Sequence, residues 1–532
     1  MSKEKSDVLF LLIKSLKKSE KRYFKVSVSS ENDSSSKKYV RLFDLIDNQK
    51  SFDDNELLKK APDLNPAQLS NLKSHLYKKI LQSIRQYNQS SVIDIQIREM
   101  IDYAQILFNR SLYDQCASIL KKAKKQALKT GNLELQLEIL KWEKNVINQT
   151  VGPGNQVRVN RIIEEVQDTN NRINNINIFT NLAAKLNALY LKIGFIRNES
   201  DFDQLRRMFN TSMPAYDEKK LSLDEKLNLY NLYVGYYFFI QDTENGYLYA
   251  KKCVDLFDEH KQIRTSKVEA YIRALNNLLI AQYKQFRYYE FVQTTRQLRE
   301  IRQFPKNVMN ENIRLRLIKY TYVHEFNRFF MLGDFDIGVA LMKKIKTGLE
   351  HFTSLLDSHS KLIMYYKTSC LYFGNGDYNE AIFYLNRIIN SENVDIREDV
   401  HSFARILNLI SHYELGNVDV IDYYIRSTYR FLLKKDDLHN FQKYILNFLK
   451  KLSYQFKESQ LIPEFIKLRS QLLSLKNNPY EKRAFVYFDI IEWLESKIQQ
   501  KPVADIIKEK AKAILKEQNT TSTEEKKSLD QY

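Results

Sequence analysis

Helix-breaking residues recur along this chain at a nearly constant interval. Turn formers fall near Ser111, Pro153, Ser200, Asp242, Phe286, Gly333, Gly376, Gly416 and Glu458, with gaps of 42, 47, 42, 44, 47, 43, 40 and 42 residues. A fixed period of this size means one supersecondary unit repeated, each copy burying its apolar face on the next. The clearest copy lies between Met364 and Ile389. Leu362, Tyr366, Ser369 and Phe373 recur at four, three and four residues, which is one face of a helix. Gly374-Asn375-Gly376-Asp377 interrupts the pattern, and glycine readily takes the left-handed conformation that closes a helix. Asp377 is placed to cap a second helix, with Glu380 at its third position, and Ala381, Leu385 and Ile388 continue the apolar face. Two antiparallel helices on a short connection form a helical hairpin. Only 12 glycines and 8 prolines occur in 532 residues, which suits long helices and argues against a turn-rich β fold.

The expected fold is therefore all-α: a solenoid of about nine antiparallel helical hairpins behind a small N-terminal helical domain. Residues 1–90 form that domain, residues 91–477 the repeat array, residues 478–517 its C-terminal capping helices, and residues 518–532 a polar, disordered tail. Within residues 1–90, Asn65 caps a long helix with Pro66 at its first position, and Leu69, Leu72, Leu76, Ile80 and Ile84 form the apolar stripe. Ser27 to Ser36 is serine-rich and reads as a loop. Asn478-Pro479-Tyr480-Glu481 reads as the start of a helix that contains Phe485, Phe488, Ile491 and Trp493. Tyr372, Gly376, Tyr378, Ala381 and Leu385 resemble the tetratricopeptide repeat, with its tyrosine, its Gly-Asp/Asn-Tyr turn, its alanine and a large residue four later. Residues 105–117 match it more weakly, with Cys116 at the alanine position. The usual period is about 34 residues and this one is longer, so the array resembles a divergent tetratricopeptide-like one. The resemblance implies a right-handed, protein-binding superhelix whose first helices line a concave groove. As a whole the chain resembles bacterial proteins that join a short basic helical head to such repeats, a likeness that brings no activity with it.

The residues offer little for catalysis. There is no GxxxxGK[ST], no HExxH and no GxSxG, and Gly374-Asn375-Gly376 runs on as Asp-Tyr-Asn rather than toward a third glycine. His351 and His359 are eight residues apart. At 1.5 Å per residue that is about 12 Å along a helix, too far to share one ion. The three cysteines, Cys116, Cys253 and Cys370, are widely spaced, so no zinc site or disulfide framework is expected and the thiols read as small buried hydrophobes. No secretory signal and no run long enough to span a bilayer is seen, and the expectation is a soluble cytoplasmic protein without cofactors.

Two binding modes remain. Asn187, Asn231, Asn276 and Asn327 fall near the middle of successive first helices, at gaps of 44, 45 and 51, and Asn408 continues the set. Asparagine donates to and accepts from a peptide backbone at once, so such a ladder, with Arg273, Tyr320 and Tyr366 beside it, would grip an extended chain. The leading expectation is thus a non-enzymatic scaffold or adaptor that binds a protein or peptide in the groove. The alternative rests on charge. The chain carries a net +18, and residues 1–90 hold 18 basic against 11 acidic side chains. Residues 66–90 contain Lys73, Lys78, Lys79 and Arg85 and no acid. A basic surface of this kind attracts nucleic acid, which would make residues 1–90 the reader, through Lys78, Lys79 and Arg85, and the repeats a sensor or oligomerisation module.

Overall fold

The computed structural model describes residues 2–529 apart from 31–33, 61–65, 90–91, 151–154, 307, 392–394, 436, 453–460 and 489. The expected cap at Asn65 and the expected turns at Pro153 and Glu458 lie outside the described residues. Among those described there are helices and no strand. The first five helices are α1 (Ser2–Ser15), α2 (Lys18–Ser29), α3 (Ser34–Asn48), α4 (Asp54–Lys60) and α5 (Pro66–Asn88). Hairpins follow as α6 (Ile93–Asn109), α7 (Tyr113–Thr130), α8 (Leu133–Gln149), α9 (Asn155–Ile193), α10 (Glu199–Ser212), α11 (Leu223–Phe239) and α12 (Thr243–Glu259). A single turn, α13 (Ile263–Ser266), precedes α14 (Val268–Lys284), α15 (Tyr288–Glu300), α16 (Glu311–Leu332), α17 (Phe335–Ser354), α18 (Ser358–Gly374) and α19 (Tyr378–Ile389). The chain ends with α20 (Glu398–Glu414), α21 (Val418–Lys434), α22 (Asn440–Leu452), α23 (Leu461–Leu475), α24 (Ile490–Gln499) and α25 (Val503–Leu529). Each helix packs chiefly on its neighbours in sequence, the pattern of an all-α helical repeat solenoid.

The period has a backbone cause. Six of the expected turns are closed by a residue in the left-handed region: Ser111 (φ 61°), Gln241 (58°), Phe286 (54°), Gly333 (73°), Gly376 (84°) and Gly416 (69°). Near Ser200 the break comes earlier, at Gly194 (φ 82°), and Ser200 itself lies in the first turn of α10.

The structure divides into two compact units, residues 1–173 and 174–532. This boundary differs from one at residue 90, because α6–α8 count with the first unit. Among its described residues that unit contains three separate apolar clusters. Leu9, Ile13, Phe24, Phe43 and Leu76 close one among α1–α5, Ile97, Cys116, Leu120 and Ile139 a second among α6–α8, and Leu140, Ile147 and Ile162 a small third between α8 and α9. In α2 the buried residues are Phe24 and Val28.

In the second unit, α11, α14, α16, α18, α20 and α22 are the first helices of their hairpins. From α14 onward each also touches the next first helix, so together they form one face. Where a hairpin closes, small residues admit large ones: a Cβ on Gly374 would lie 2.4 Å from the Phe335 ring. Ala381 is fully buried in α19 beside the stacked pair Tyr372–Tyr384. Ala381→Leu is expected to overfill that contact and cost about 1–3 kcal/mol, read by chemical denaturation. An unchanged midpoint would refute the close approach of α18 and α19.

Two segments depart from the expected C-terminus. Residues 478–488 form no helix of the expected kind but a 3₁₀ turn over Lys482–Val486 and an extended Tyr487. Phe485 meets α22, Tyr487 meets α20 and α18, and Phe488 meets α18, so the rings of this segment spread over three helices. One helical stripe cannot serve three such directions, so tertiary packing overrides the periodicity. The last helix, α25, continues through the expected tail to Leu529. It runs back over the middle repeats: a Cβ on Gly333 would lie 2.7 Å from the Ala504 carbonyl, and the Gln518 amide donates to the Phe286 carbonyl at 2.8 Å.

Candidate functional site

The asparagines expected on successive first helices are found on those helices, and most are engaged with one another. On α11, Asn231 donates to the Leu227 carbonyl at 2.7 Å and accepts from Asn277 of α14 at 3.3 Å. Asn276 donates to Asn277 at 3.5 Å, and its Oδ1 lies 3.1 Å from Nε2 of His324 on α16. Nδ1 of the same histidine lies 3.3 Å from the Asn327 amide, whose Oδ1 accepts from Lys367 of α18 at 2.6 Å. A continuous polar ladder thus joins α11, α14, α16 and α18. Asn276 and Asn327 are buried rungs. Asn408 is buried on α20 with its amide nitrogen unpaired, and Asn187 is exposed on α9.

The ladder fixes the state of His324. Its Nε2 faces a carbonyl-type oxygen and therefore donates, while its Nδ1 accepts from the Asn327 amide, so the ring is neutral. Burial, and then the Lys367 charge, lower its pKa to about 3. A folded-state pKa below the unfolded value of about 6.5 means that the unfolded chain takes up a proton first as pH falls. Stability is accordingly lost from about pH 6.5 down toward pH 3, by at most about 1.4 kcal/mol per pH unit from this group. His324→Gln keeps a donor and an acceptor but cannot titrate. It is expected to flatten that limb of the stability–pH curve, measured by denaturant unfolding at stepped pH, and an unaltered slope would show that the ring is protonated in the fold.

Beside the ladder lies a charged centre at the start of α20. Arg397 is held in the left-handed region (φ 54°), and its backbone N–H donates to the Leu191 carbonyl at 2.7 Å. Its guanidinium grips Asp399 through Nε at 2.8 Å and Nη2 at 2.7 Å, and Nη1 donates to the Tyr190 hydroxyl at 2.8 Å. The Tyr487 hydroxyl also donates to Asp399. Arg397 is 2% exposed and Asp399 1%, so neither charge is tolerable alone. Burial works against both ions, but each holds the other charged: the Asp399 carboxyl sits below its usual range and the Arg397 guanidinium well above its own. Adjacent to them Arg197 pairs with Glu398 at 2.6 Å and donates to the Lys435 carbonyl at 2.8 Å.

Further cations and rings gather here. Lys284 lies 5.1 Å from the centre of the Phe195 ring and 4.9 Å from that of Phe238. Burial, then repulsion from Arg397 and Lys482, lower its pKa to about 8. Lys367 is lowered to about 8 by burial. His359 drops to about 4 through burial and then Arg397, with its ring edge-on to Tyr190 at 6.2 Å.

The remaining expected residues are spread along the unit. Tyr366 is buried on α18 and meets Tyr487 edge-on at 5.7 Å. Tyr320, half-buried on α16, takes the Lys319 ammonium on its ring at 5.0 Å, and the exposed Arg273 on α14 is close enough to act on its phenol. In the first unit Lys78 and Arg85 are exposed on α5, with Arg85 3.9 Å from Asp102, and Lys79 is half-buried.

The cysteine thiols are buried and pushed up by burial, Cys253 and Cys370 to about 12, so none is a ready nucleophile. Among the described residues no group of His, Cys, Asp and Glu has the arrangement to hold a metal ion, and no helix is long and apolar enough to cross a membrane. Sequence reading missed Arg397, Asp399, Tyr190 and Tyr487. Arg397-Glu398-Asp399 looks like an ordinary charged helix start, and nothing local says that its partners are 207 and 90 residues away. No family model matches this chain, and neither a curated protein nor a solved structure does.

Proposed function

We propose that the second unit is a non-enzymatic scaffold or adaptor that binds a peptide or an extended protein segment on the face made by its first helices. The observation that carries this reading is the lie of residues 478–488 on that face: a segment outside the α-helical repeats, held through its side chains, with the Glu481 carboxylate on main-chain N–H groups of α22 and aromatic rings on several repeats, as a bound peptide would be. The polar ladder supports it, because bonds between successive first helices fix the spacing of whatever they present. Arg273 and Tyr320, more open than the ladder itself, are the residues assigned to a ligand. The test is panning of a random peptide display library on the full-length protein, with the selected peptides titrated against Arg273→Ala/Tyr320→Ala. Binding at least tenfold weaker in a variant of unchanged melting temperature supports the reading. Equal binding, or no enrichment at all, ends it.

A second reading is favoured by one observation. Helix α5 has no acidic residue, and Lys78 and Arg85 project from it into solvent. If residues 1–90 bind nucleic acid, replacing Lys78, Lys79 and Arg85 by alanine lowers the salt slope of DNA binding by about one per lost phosphate contact. Full-length protein that passes through a heparin column at low salt excludes it.

A further inference from the structure

Between α23 and α24 the chain makes a detour. Connections inside helical arrays usually take only a few residues, yet here residues 476–488 cross the first-helix face and touch four of its helices or their turns. The Glu481 carboxylate accepts from the backbone N–H groups of Asn440 and Phe441, at 2.9 and 3.1 Å, at the start of α22. Lys482 Nζ donates to the Gln241 carbonyl, in the turn after α11, at 2.9 Å. Phe485 meets Phe441 edge-on at 5.4 Å, and Phe488 meets Phe373 of α18 edge-on at 4.9 Å. Tyr487 lies flat on Phe403 of α20, with centroids 4.2 Å apart and an 18° tilt, and its hydroxyl reaches Asp399.

The ion pair under these side chains is closed without them. Both Asp399 oxygens already accept from Arg397, and the guanidinium is braced from the far side by Tyr190. Gly194 leaves room for the carboxylate, and Arg397 is locked by its own backbone bond to Leu191. The tyrosine hydroxyl is thus a guest on a closed ion pair. A side-chain carboxylate captured by two main-chain N–H groups at one end, and aromatic side chains seated on three helices at the other, are contacts of the kind by which a protein takes a peptide.

We propose that residues Tyr480–Phe488 are a built-in ligand, and that the seat they fill on α18, α20 and α22 accepts a partner's peptide of the same chemistry. That chemistry is a basic residue, then an aromatic one three positions on, then one further residue and a Tyr-Phe pair. The inference rests on the peptide-binding reading above and names its ligand class. Free partner peptide competes with the resident strap, so the wild type binds weakly and a strap-loosened protein binds well.

The probe is a fluorescein-labelled peptide of residues 480–488, titrated by anisotropy against full-length wild type and against Phe485→Ala/Tyr487→Ala/Phe488→Ala. The triple variant is expected to bind at least tenfold more tightly than the wild type, with no binding of a scrambled peptide and at least tenfold weaker competition by a peptide whose tyrosine is replaced with alanine. A folded triple variant that ignores the peptide, or binds the scrambled one equally, overturns the proposal. Because that variant can fail to fold, hydrogen exchange on the wild type decides independently: amides of residues 481–488 are expected to exchange at least a hundredfold faster than those of α18 and α20, since a guest leaves without unfolding its host. Exchange at the same rate makes the segment core and overturns the proposal. A concentration-dependent dimer on size-exclusion chromatography would give the seat to a second copy's strap and also overturn it. Display peptides that bind the first-helix face while the strap exchanges with α18 sink this inference and leave the peptide-binding reading standing.

Discussion

Asp399→Ala is expected to cost about 3–5 kcal/mol, because it strands the Arg397 guanidinium, 2% exposed, without its anion. The two other groups around that guanidinium, the Tyr190 and Tyr487 hydroxyls, are neutral and do not replace a charge. Arg397→Met is expected to be as damaging, for it leaves the carboxylate buried and alone. The double variant Arg397→Met/Asp399→Leu is expected to lose less than either single one, since no buried charge remains to be compensated. Denaturant unfolding with an unchanged m-value reads all three. A single-variant loss below about 1 kcal/mol, the size of an exposed pair, would mean that water reaches the centre.

Gly194→Ala is the second large effect. Gly194 has φ of 82°, a region where a side chain costs about 1–2 kcal/mol. An added Cβ would also fall 1.8 Å from Asp399 Oδ2. That oxygen is pinned by Arg397 and cannot swing aside, so the overpacking term of about 1–3 kcal/mol adds to the backbone term. In the Asp399→Ala background the steric part vanishes and only the backbone part remains. The two substitutions should therefore be non-additive, and strict additivity in a double-mutant cycle would show that the carboxylate is not held against residue 194.

The repeat was legible because it is written locally. A left-handed residue must close each hairpin, and Gly333, Gly376 and Gly416 announce that themselves. Ser111, Gln241 and Phe286 take the same conformation without a glycine, so no residue type announces it there. The asparagines were legible as a series but not as a network: spacing puts Asn276 and Asn327 on successive helices, while His324 lies between them for reasons of inter-helix distance that no sequence window contains. The charged centre was invisible for the same reason, since its members come from residues 190, 194, 397, 399 and 487. The helix expected from Asn478 starts only at Ile490, where Ile491 and Trp493 lie, because Phe485, Tyr487 and Phe488 answer to rings on three other helices, which no local window shows.

The return of α25 over the turns at Gly333 and Phe286 changes how the second unit comes apart. In an open solenoid each repeat touches only its neighbours, so the ends fray first and folding can start anywhere and spread. Here the last helix is tied to the middle: Gln518 bonds the chain 232 residues earlier. Contacts of such long sequence separation raise the contact order, and loop closure must precede the contacts that reward it. The C-terminal repeats therefore have no free end from which to unzip. Their unfolding is expected to be a single concerted event, and their refolding slower than that of a repeat array of equal length whose ends are open.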